Sequence, residues 1–378
     1  MRENPLVLHV LGARPNFVKA APVVRALGEL GIRQAIVHTG QHYDALMSDV
    51  FFADLGLPEP VANLAVGSGT HARQTAALLT GLEDVVTEQR PDLVVVYGDV
   101  NSTLAAILVC AKLHVPTAHV EAGLRSFDRE MPEEVNRVVT DALADILLVT
   151  SPDGLSHLAA EGVAAGKVHL VGNPMIDSLF AALPKLDPAP PRERLGLPQR
   201  YAVATLHRPA NVDDPGSARE LVDGVLAVAE QVPVVVPLHP RGRTRLAEAG
   251  LVTGGNLKIV DPLGYVEFLS LVRGAALVVT DSGGVQEETT MLGVPCLTVR
   301  PNTERPITVT HGTNRLVTPQ SLPAEASKAL ADGAAIPAGE LPPLWDGKAG
   351  PRIARVIEAW LRADNLSPAS QGVPPRTS

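Results

Sequence analysis

Only two cysteines and few aromatic residues (six Phe, four Tyr, two Trp) occur among the 378 residues. Cys110 and Cys296 each sit in an apolar segment with no adjacent basic or histidine residue. Neither a disulfide framework nor an activated thiolate is expected, and both read as buried thiols of a reducing cytoplasm. No apolar run approaches the roughly 20 residues of a membrane span. The opening MRENPLVLHV lacks a leader's apolar stretch and small-residue cleavage site, so it is expected to enter a core strand directly. Basic residues are outnumbered, 32 Lys and Arg against 41 Asp and Glu, for a formal charge of −9. That balance argues against nucleic acid or an anionic membrane as partner, so any anionic ligand must be gripped locally. No Cys/His cluster has metal-ligand spacing, and no metal site is expected. The turn after the first strand is not G-x-G-x-x-G, and no suitably spaced acid ends the second strand, which disfavours a dinucleotide cofactor.

What is present is alternation. Short β-branched runs alternate with amphipathic or alanine-rich stretches of helical length, as in an α/β fold with doubly wound parallel sheets. The length suits two domains. The first series of strands is predicted at 6–11, 34–38, 93–97, 117–120, 146–149 and 168–171. The run LPKLDPAPPRERLGLP, 183–198, is rich in proline and charge and is expected to form neither helix nor central strand but the surface of a domain junction. A second series follows at 202–206, 234–238, 257–260, 277–280 and 296–299. The expected division is 1–175 and 176–350, two Rossmann-like domains facing a cleft, with 364–378 a disordered tail.

Chemistry-bearing residues gather after strand ends, where open α/β sheets bind ligands. In HVEAGLRSFDREMPEEVNR, Glu121 ends a buried strand, and a carboxylate there is costly unless paired or used. Arg125, Glu133 and Arg137 follow it. Pro132, Glu133 and Glu134 also suit an ordinary helix first turn. GARPNFVKA places Arg14 and Lys19 at a helix start, where an anion is favoured, although a solvated basic turn fits about as well. In YGDVNST, Asp99 is either a helix cap or a third carboxylate converging with Glu121 and Glu133 to serve as acid or base. HRPAN and PLHPRGR put His207 and His239 after strands, His207 being the stronger candidate to protonate a leaving oxygen, whereas His9 and His119 read as satisfied core groups. TDSGGVQEE offers Ser282, Gly283 and Gly284 as a nest for a diphosphate, with Glu288 one turn on to accept from ribose hydroxyls.

GARPNFVKA, TGQHYD, YGDVNSTLA, HVEAGLRSF, MPEEVNR, HRPAN, TDSGGVQEE, NTERP and HGTNRLV, in this order, resemble the non-hydrolysing UDP-N-acetylglucosamine 2-epimerases. The resemblance runs from about Leu6 to about Trp360. It implies the GT-B fold, with the last helix, 352–361, crossing back to the first domain. A cytoplasmic homodimer that interconverts UDP-GlcNAc and UDP-ManNAc without a cofactor is implied as well. By resemblance Asp99, Glu121, Glu133 and His207 are catalytic, and Arg14, Lys19, Phe268, Ser282, Gly283, Gly284, Glu288 and Arg315 hold UDP. Gln41, Arg73, Glu134 and His239 match an allosteric UDP-GlcNAc site. Segments including TGQHYD and LRSFDREMPEE are also similar to epimerases of UDP-2,3-diacetamido sugar acids. A GT-B glycosyltransferase and a nucleotide-sugar-binding regulator without catalysis are the competing readings. The first requires an acceptor; the second tolerates loss of all four catalytic candidates.

Overall fold

The computed structural model describes residues 4–40, 55–238, 240–332 and 341–363. The chain divides into two compact units. The first comprises residues up to Gly123, Arg129–Pro174 and the segment from Lys348 on; the second comprises Leu124–Asp128 and Met175–Gly347.

In the first unit seven parallel strands run β1 (Leu6–Leu11), β2 (Arg33–His38), β3 (Ala62–Asn63), β4 (Leu93–Tyr97), β5 (Thr117–Ala122), β6 (Ile146–Val149) and β7 (Val168–Leu170). Their order across the sheet is β3-β2-β1-β4-β5-β6-β7. β1, β4, β5 and β6 are buried throughout, as expected of a parallel sheet covered on both faces by crossover helices. The order reverses between β1 and β4, so their carboxyl ends flank the position where such sheets bind ligands.

The second unit repeats the plan with β8 (Ala202–Thr205), β9 (Val234–Pro237), β10 (Leu257–Val260), β11 (Leu277–Thr280), β12 (Cys296–Val299) and β13 (Asn314–Val317). They are arranged β10-β9-β8-β11-β12-β13, and the reversal falls between β8 and β11. Alternation along the strands feeds two core layers. Ala202, Ala204, Val234, Val236, Leu277 and Val279 pack on one face, and Val203, Val235 and Val278 on the other.

The helix Ala349–Ala363 buries Ile353, Ala354, Ile357 and Leu361, a stripe at helical spacing, and packs against the helix Arg14–Glu29. Gly350 allows this approach, since a Cβ there would lie 2.6 Å from the Pro22 carbonyl oxygen.

The structure departs from the sequence expectation in three places. β5 extends through Glu121 to Ala122, so Glu121 lies within the strand rather than beyond it. The edge strands β3 and β13 were not predicted; β3 has only two residues, and β13 carries exposed Arg315 and Leu316 at its centre. The junction run contains the helix Ala189–Arg194. Its prolines fall in the first turn, where a missing N–H costs nothing because that group has no helical partner.

Candidate active site

In the first unit the turn between β1 and the helix Arg14–Glu29 is closed by its own side chain. Asn16 Oδ1 accepts from the Gly12 and Ala13 N–H groups (3.1 and 3.0 Å), while Asn16 Nδ2 donates to the Tyr97 carbonyl at the end of β4 (2.8 Å). This ties the two strands that flank the reversal. One turn along that helix, buried Lys19 forms an ion pair with buried Glu121. Glu121 has a positive φ of 78°, and the pairing of β5 with β6 shifts register between Val120 and Ala122. A bulge of this kind re-aims a side chain, and a non-glycine residue in this region stores about 1–3 kcal/mol of strain. Gly98, also at positive φ, leaves the room required. A Cβ there would stand 3.0 Å from Glu121 Oε2 and 3.2 Å from Lys19 Nζ.

Beyond β4, Asp99 does not cap the following helix; the cap position is Val100, with no side-chain bond. Its carboxylate is instead paired with the buried guanidinium of Arg137, which also binds Glu134 at 2.6 Å. Both partners lie on the helix Pro132–Leu143, and Asn136 of the same helix donates to the Asp99 carbonyl at 2.8 Å. Glu133, in its first turn, is half-buried, and its carboxylate has no partner among the described residues. His119 is fully buried between Asp141 (2.7 Å) and the Gly98 carbonyl (2.8 Å), and His9 lies between Tyr97 and Gln34. Burial pushes the His9 imidazole down to about 4 despite the Gln34 bond, so it is a neutral core group at physiological pH.

In the second unit His207 follows β8 and Asp281 follows β11, on the two sides of the reversal. His207 Nδ1 is 2.9 Å from Asp281 Oδ1, and the Asp281 carboxylate is fully buried, whereas the His207 side chain is 62 % exposed. The imidazole thus has one edge against protein and one toward solvent. Desolvation lowers its affinity for a proton, but the charge and hydrogen bond of Asp281 outweigh it, and the net shift is upward.

Ser282 precedes the helix Gly283–Leu292, and its hydroxyl makes no hydrogen bond among the described residues. Gly283 and Gly284 are helical, not part of the preceding turn, and neither has a positive φ. Both lie close to neighbouring side chains instead. The Arg305 guanidinium and Glu304 carboxylate press on Gly283, and a Cβ at Gly284 would meet the Met175 methyl at 2.8 Å. Gln286 Nε2 donates to the Ser282 carbonyl (3.1 Å), and its oxygen accepts from Thr303 and Asn314, which fixes the start of the helix. Glu288 is buried; desolvation, reinforced by the neighbouring Glu287 charge and partly opposed by Tyr265, pushes its carboxyl up to about 8. Phe268, on the helix Tyr265–Gly274, packs against the core cluster that includes Val285. Beneath these groups Arg305 binds Glu287 at 2.8 Å, and Arg300 and Arg208 reach Glu304 at 2.7 and 3.4 Å.

Of the candidates read from sequence, the structure joins Lys19 to Glu121, and Asp99 to Arg137 and Glu134. Lys19 therefore faces a carboxylate rather than standing open to an anion. Arg14 is half-buried at the start of its helix. Arg315, on β13, is brought to Glu325 at 3.6 Å and to none of the other candidates. Arg73 is exposed on the helix His71–Gln89, and Glu134 is buried and spent on Arg137. Gln41 and His239 lie outside the described residues. Sequence reasoning passed over Asp281, Gln286 and the Arg300–Glu304–Arg305 network. Their signal was available in TDSGGVQEE and NTERP, because an acid ending the strand beside the one that precedes His207 is a natural partner for it. Among the described residues no group of three or more His, Cys, Asp or Glu could hold a metal ion, and no helix is long and apolar enough to cross a membrane.

Comparison with known proteins accords with this geometry. The UDP-N-acetylglucosamine 2-epimerase from Methanocaldococcus jannaschii is 41 % identical over 365 residues, covering 92 % of this chain and 97 % of the relative. A UDP-2,3-diacetamido-2,3-dideoxy-D-glucuronate 2-epimerase from Pseudomonas aeruginosa is 44 % identical over 318 residues, covering 82 % and 88 %. The crystal structure of the M. jannaschii enzyme in complex with UDP-GlcNAc and UDP matches with a TM-score of 0.86 at 40 % identity, over 94 % of this chain and 99 % of that one. This likeness places the two doubly wound units in the GT-B-like class. The sequence pattern of the UDP-N-acetylglucosamine 2-epimerases spans residues 25–358, and the chain belongs to that family.

Proposed function

We propose that this protein interconverts UDP-GlcNAc and UDP-ManNAc. The hydrogen on carbon 2 of an acetamido sugar is not acidic, because no carbonyl is attached to that carbon. Elimination gives a route that needs no redox step. A carboxylate takes the carbon 2 proton, the bond from carbon 1 to the UDP oxygen breaks with its electron pair going to UDP, and a 2-acetamidoglucal is left. Return of UDP to carbon 1, with a proton delivered to the opposite face of carbon 2, completes the epimerisation.

The observation that carries this reading is the carboxylate set of the first unit, in a chain that belongs to an epimerase family. Glu121 is aimed by a bulge and paired with Lys19, Asp99 is braced by Arg137, and Glu133 has no partner among the described residues. These three serve as the acid and base groups. In the second unit His207 supplies a proton or charge to the departing diphosphate. Ser282 and the first N–H groups of the helix Gly283–Leu292 receive phosphate oxygens, with Arg14, Phe268 and Arg315 as further contacts to UDP. Glu288 accepts from the ribose. The two cysteines, both free and buried, suit a cytoplasmic enzyme. A homodimer is the assembly the family likeness favours.

Incubation with UDP-GlcNAc in deuterated water tests the reaction. UDP-ManNAc carrying deuterium at carbon 2 is expected, and product without deuterium contradicts proton exchange with solvent. The identity to the P. aeruginosa enzyme gives a second reading, a UDP-2,3-diacetamido sugar acid as substrate. Comparing kcat/KM for the two sugars decides between them.

A further inference from the structure

Asp281 is fully buried and carries more bonds than a turn cap requires. It accepts from the backbone N–H of His207 (3.1 and 3.0 Å to its two oxygens), from the Arg208 N–H (3.0 Å) and from Asn211 Nδ2 (3.3 Å), and it lies 2.9 Å from His207 Nδ1. It therefore anchors both the backbone that bears the imidazole and the ring itself. Asn211 also donates to the Val299 carbonyl at the end of β12 (3.1 Å), and Arg208 Nε to the Asp281 carbonyl (3.1 Å), so the arrangement is locked from three strand ends. With Nδ1 held, His207 Nε2 lies on the side away from Asp281, and the side chain is largely exposed.

We infer that Asp281 is a positioning residue for His207, fixing the neutral imidazole with its proton on Nδ1 and presenting Nε2 to the oxygen that leaves carbon 1. The inference rests on the proposed role of His207. A ring held this way accepts a proton on Nε2, becomes a cation stabilised by the buried carboxylate, and delivers that proton outward as the C–O bond breaks. The charged groups acting on the ring are Asp281, which favours the cation, and Arg208 and Arg300, which oppose it; both arginines are themselves engaged with Glu304. A cap that merely closed the turn would need only an acceptor for the two N–H groups, which an asparagine provides. Asparagine cannot supply the charge, and its amide turned toward Nδ1 would force the ring proton onto Nε2.

The test uses histidine-selective nitrogen labelling of the full chain, with the His207 signal assigned from His207→Asn. In the wild type the neutral ring is expected to carry its proton on Nδ1; a proton on Nε2 overturns the inference, and this reading needs no Asp281 variant to fold. Asp281→Asn is expected to lower the His207 titration midpoint and to move the alkaline limb of kcat to lower pH. Its kcat should fall on the order of 10²-fold, with a smaller change in KM. In a His207→Asn background it should cost less than about twofold more, since groups that act as one unit are not additive. An unchanged midpoint, or a full additional loss in the double variant, overturns it. If no UDP-sugar is turned over at all, the proposed function fails, while the nitrogen spectra still decide whether Asp281 sets the state of His207.

Discussion

At the reversal of the first sheet the turn after β1 spends its N–H groups on Asn16, the carboxylate after β4 is gripped by Arg137, and the one within β5 by Lys19. At the corresponding reversal of the second sheet the buried member is Asp281, the histidine it holds is exposed, and the helix after β11 opens with a Ser282 hydroxyl that no neighbour among the described residues takes. Both regions have the same strand order, so topology supplies the location and not the chemistry. Ionisable groups packed and strained into place suit proton transfer on a sugar carbon. Unspent donors around a glycine-led helix suit a diphosphate.

The largest effects are expected in the first unit. Glu121→Gln and Glu133→Gln should each lower turnover by at least about 10², the scale of a positioned acid or base. They should differ in stability. Glu121→Gln strands the Lys19 ammonium in a buried site and should cost about 3–5 kcal/mol in denaturant unfolding. Glu133→Gln, which breaks no ion pair, should stay within about 0.5 kcal/mol. Equal destabilisation would contradict the distinction between the paired and the unpartnered carboxylate. Next in size, Lys19→Met should destabilise alone but recover part of the loss when combined with Glu121→Gln, since replacing both charges removes the stranded partner. A purely phosphate-binding Lys19 predicts additivity instead.

The architecture was legible because buried parallel strands are continuous apolar runs. β1, β4, β6, β10, β11 and β12 lie where alternation and turn residues predict them. β3 and β13 escaped because edge strands need no such run. In the site, Glu121 was suspect from the cost of a buried carboxylate, and its φ of 78° shows how the strand meets that cost. Its partner Lys19 is separated from it by 102 positions, and such pairings are invisible to spacing rules. Asp281 escaped for the same reason, the deciding contact being to His207 on another strand.

In the second unit Glu288 should make ligand binding depend on pH. Its carboxyl, raised to about 8 by burial, is protonated in the free protein at neutral pH. Ribose hydroxyls bind best to the ionised form, so UDP affinity should rise with pH until about 8 and then level off. Calorimetry in buffers of different ionisation enthalpy should register proton release on binding. Stability runs the other way. The folded value lies above the unfolded one, so this contribution is complete below the ordinary carboxyl range and is lost as pH rises through about 8. Glu288→Gln should remove both pH dependences and weaken UDP binding by about 1.5–3 kcal/mol. A pH-independent affinity in the wild type would contradict this. A small stability effect is also expected at Arg315, whose pair with Glu325 is largely exposed on the arginine side. Arg315→Ala should change unfolding by about 0–1 kcal/mol, so any loss of UDP affinity measured there reports on ligand contact alone.

In each catalytic cycle the bond between carbon 1 and the diphosphate oxygen should break and re-form. UDP-GlcNAc carrying heavy oxygen only at that bridging position, incubated with the enzyme and followed by phosphorus NMR, tests it most directly. The label is expected to spread into the non-bridging oxygens of the β-phosphate as epimerisation proceeds. Full conversion to UDP-ManNAc with the label still confined to the bridge would contradict it.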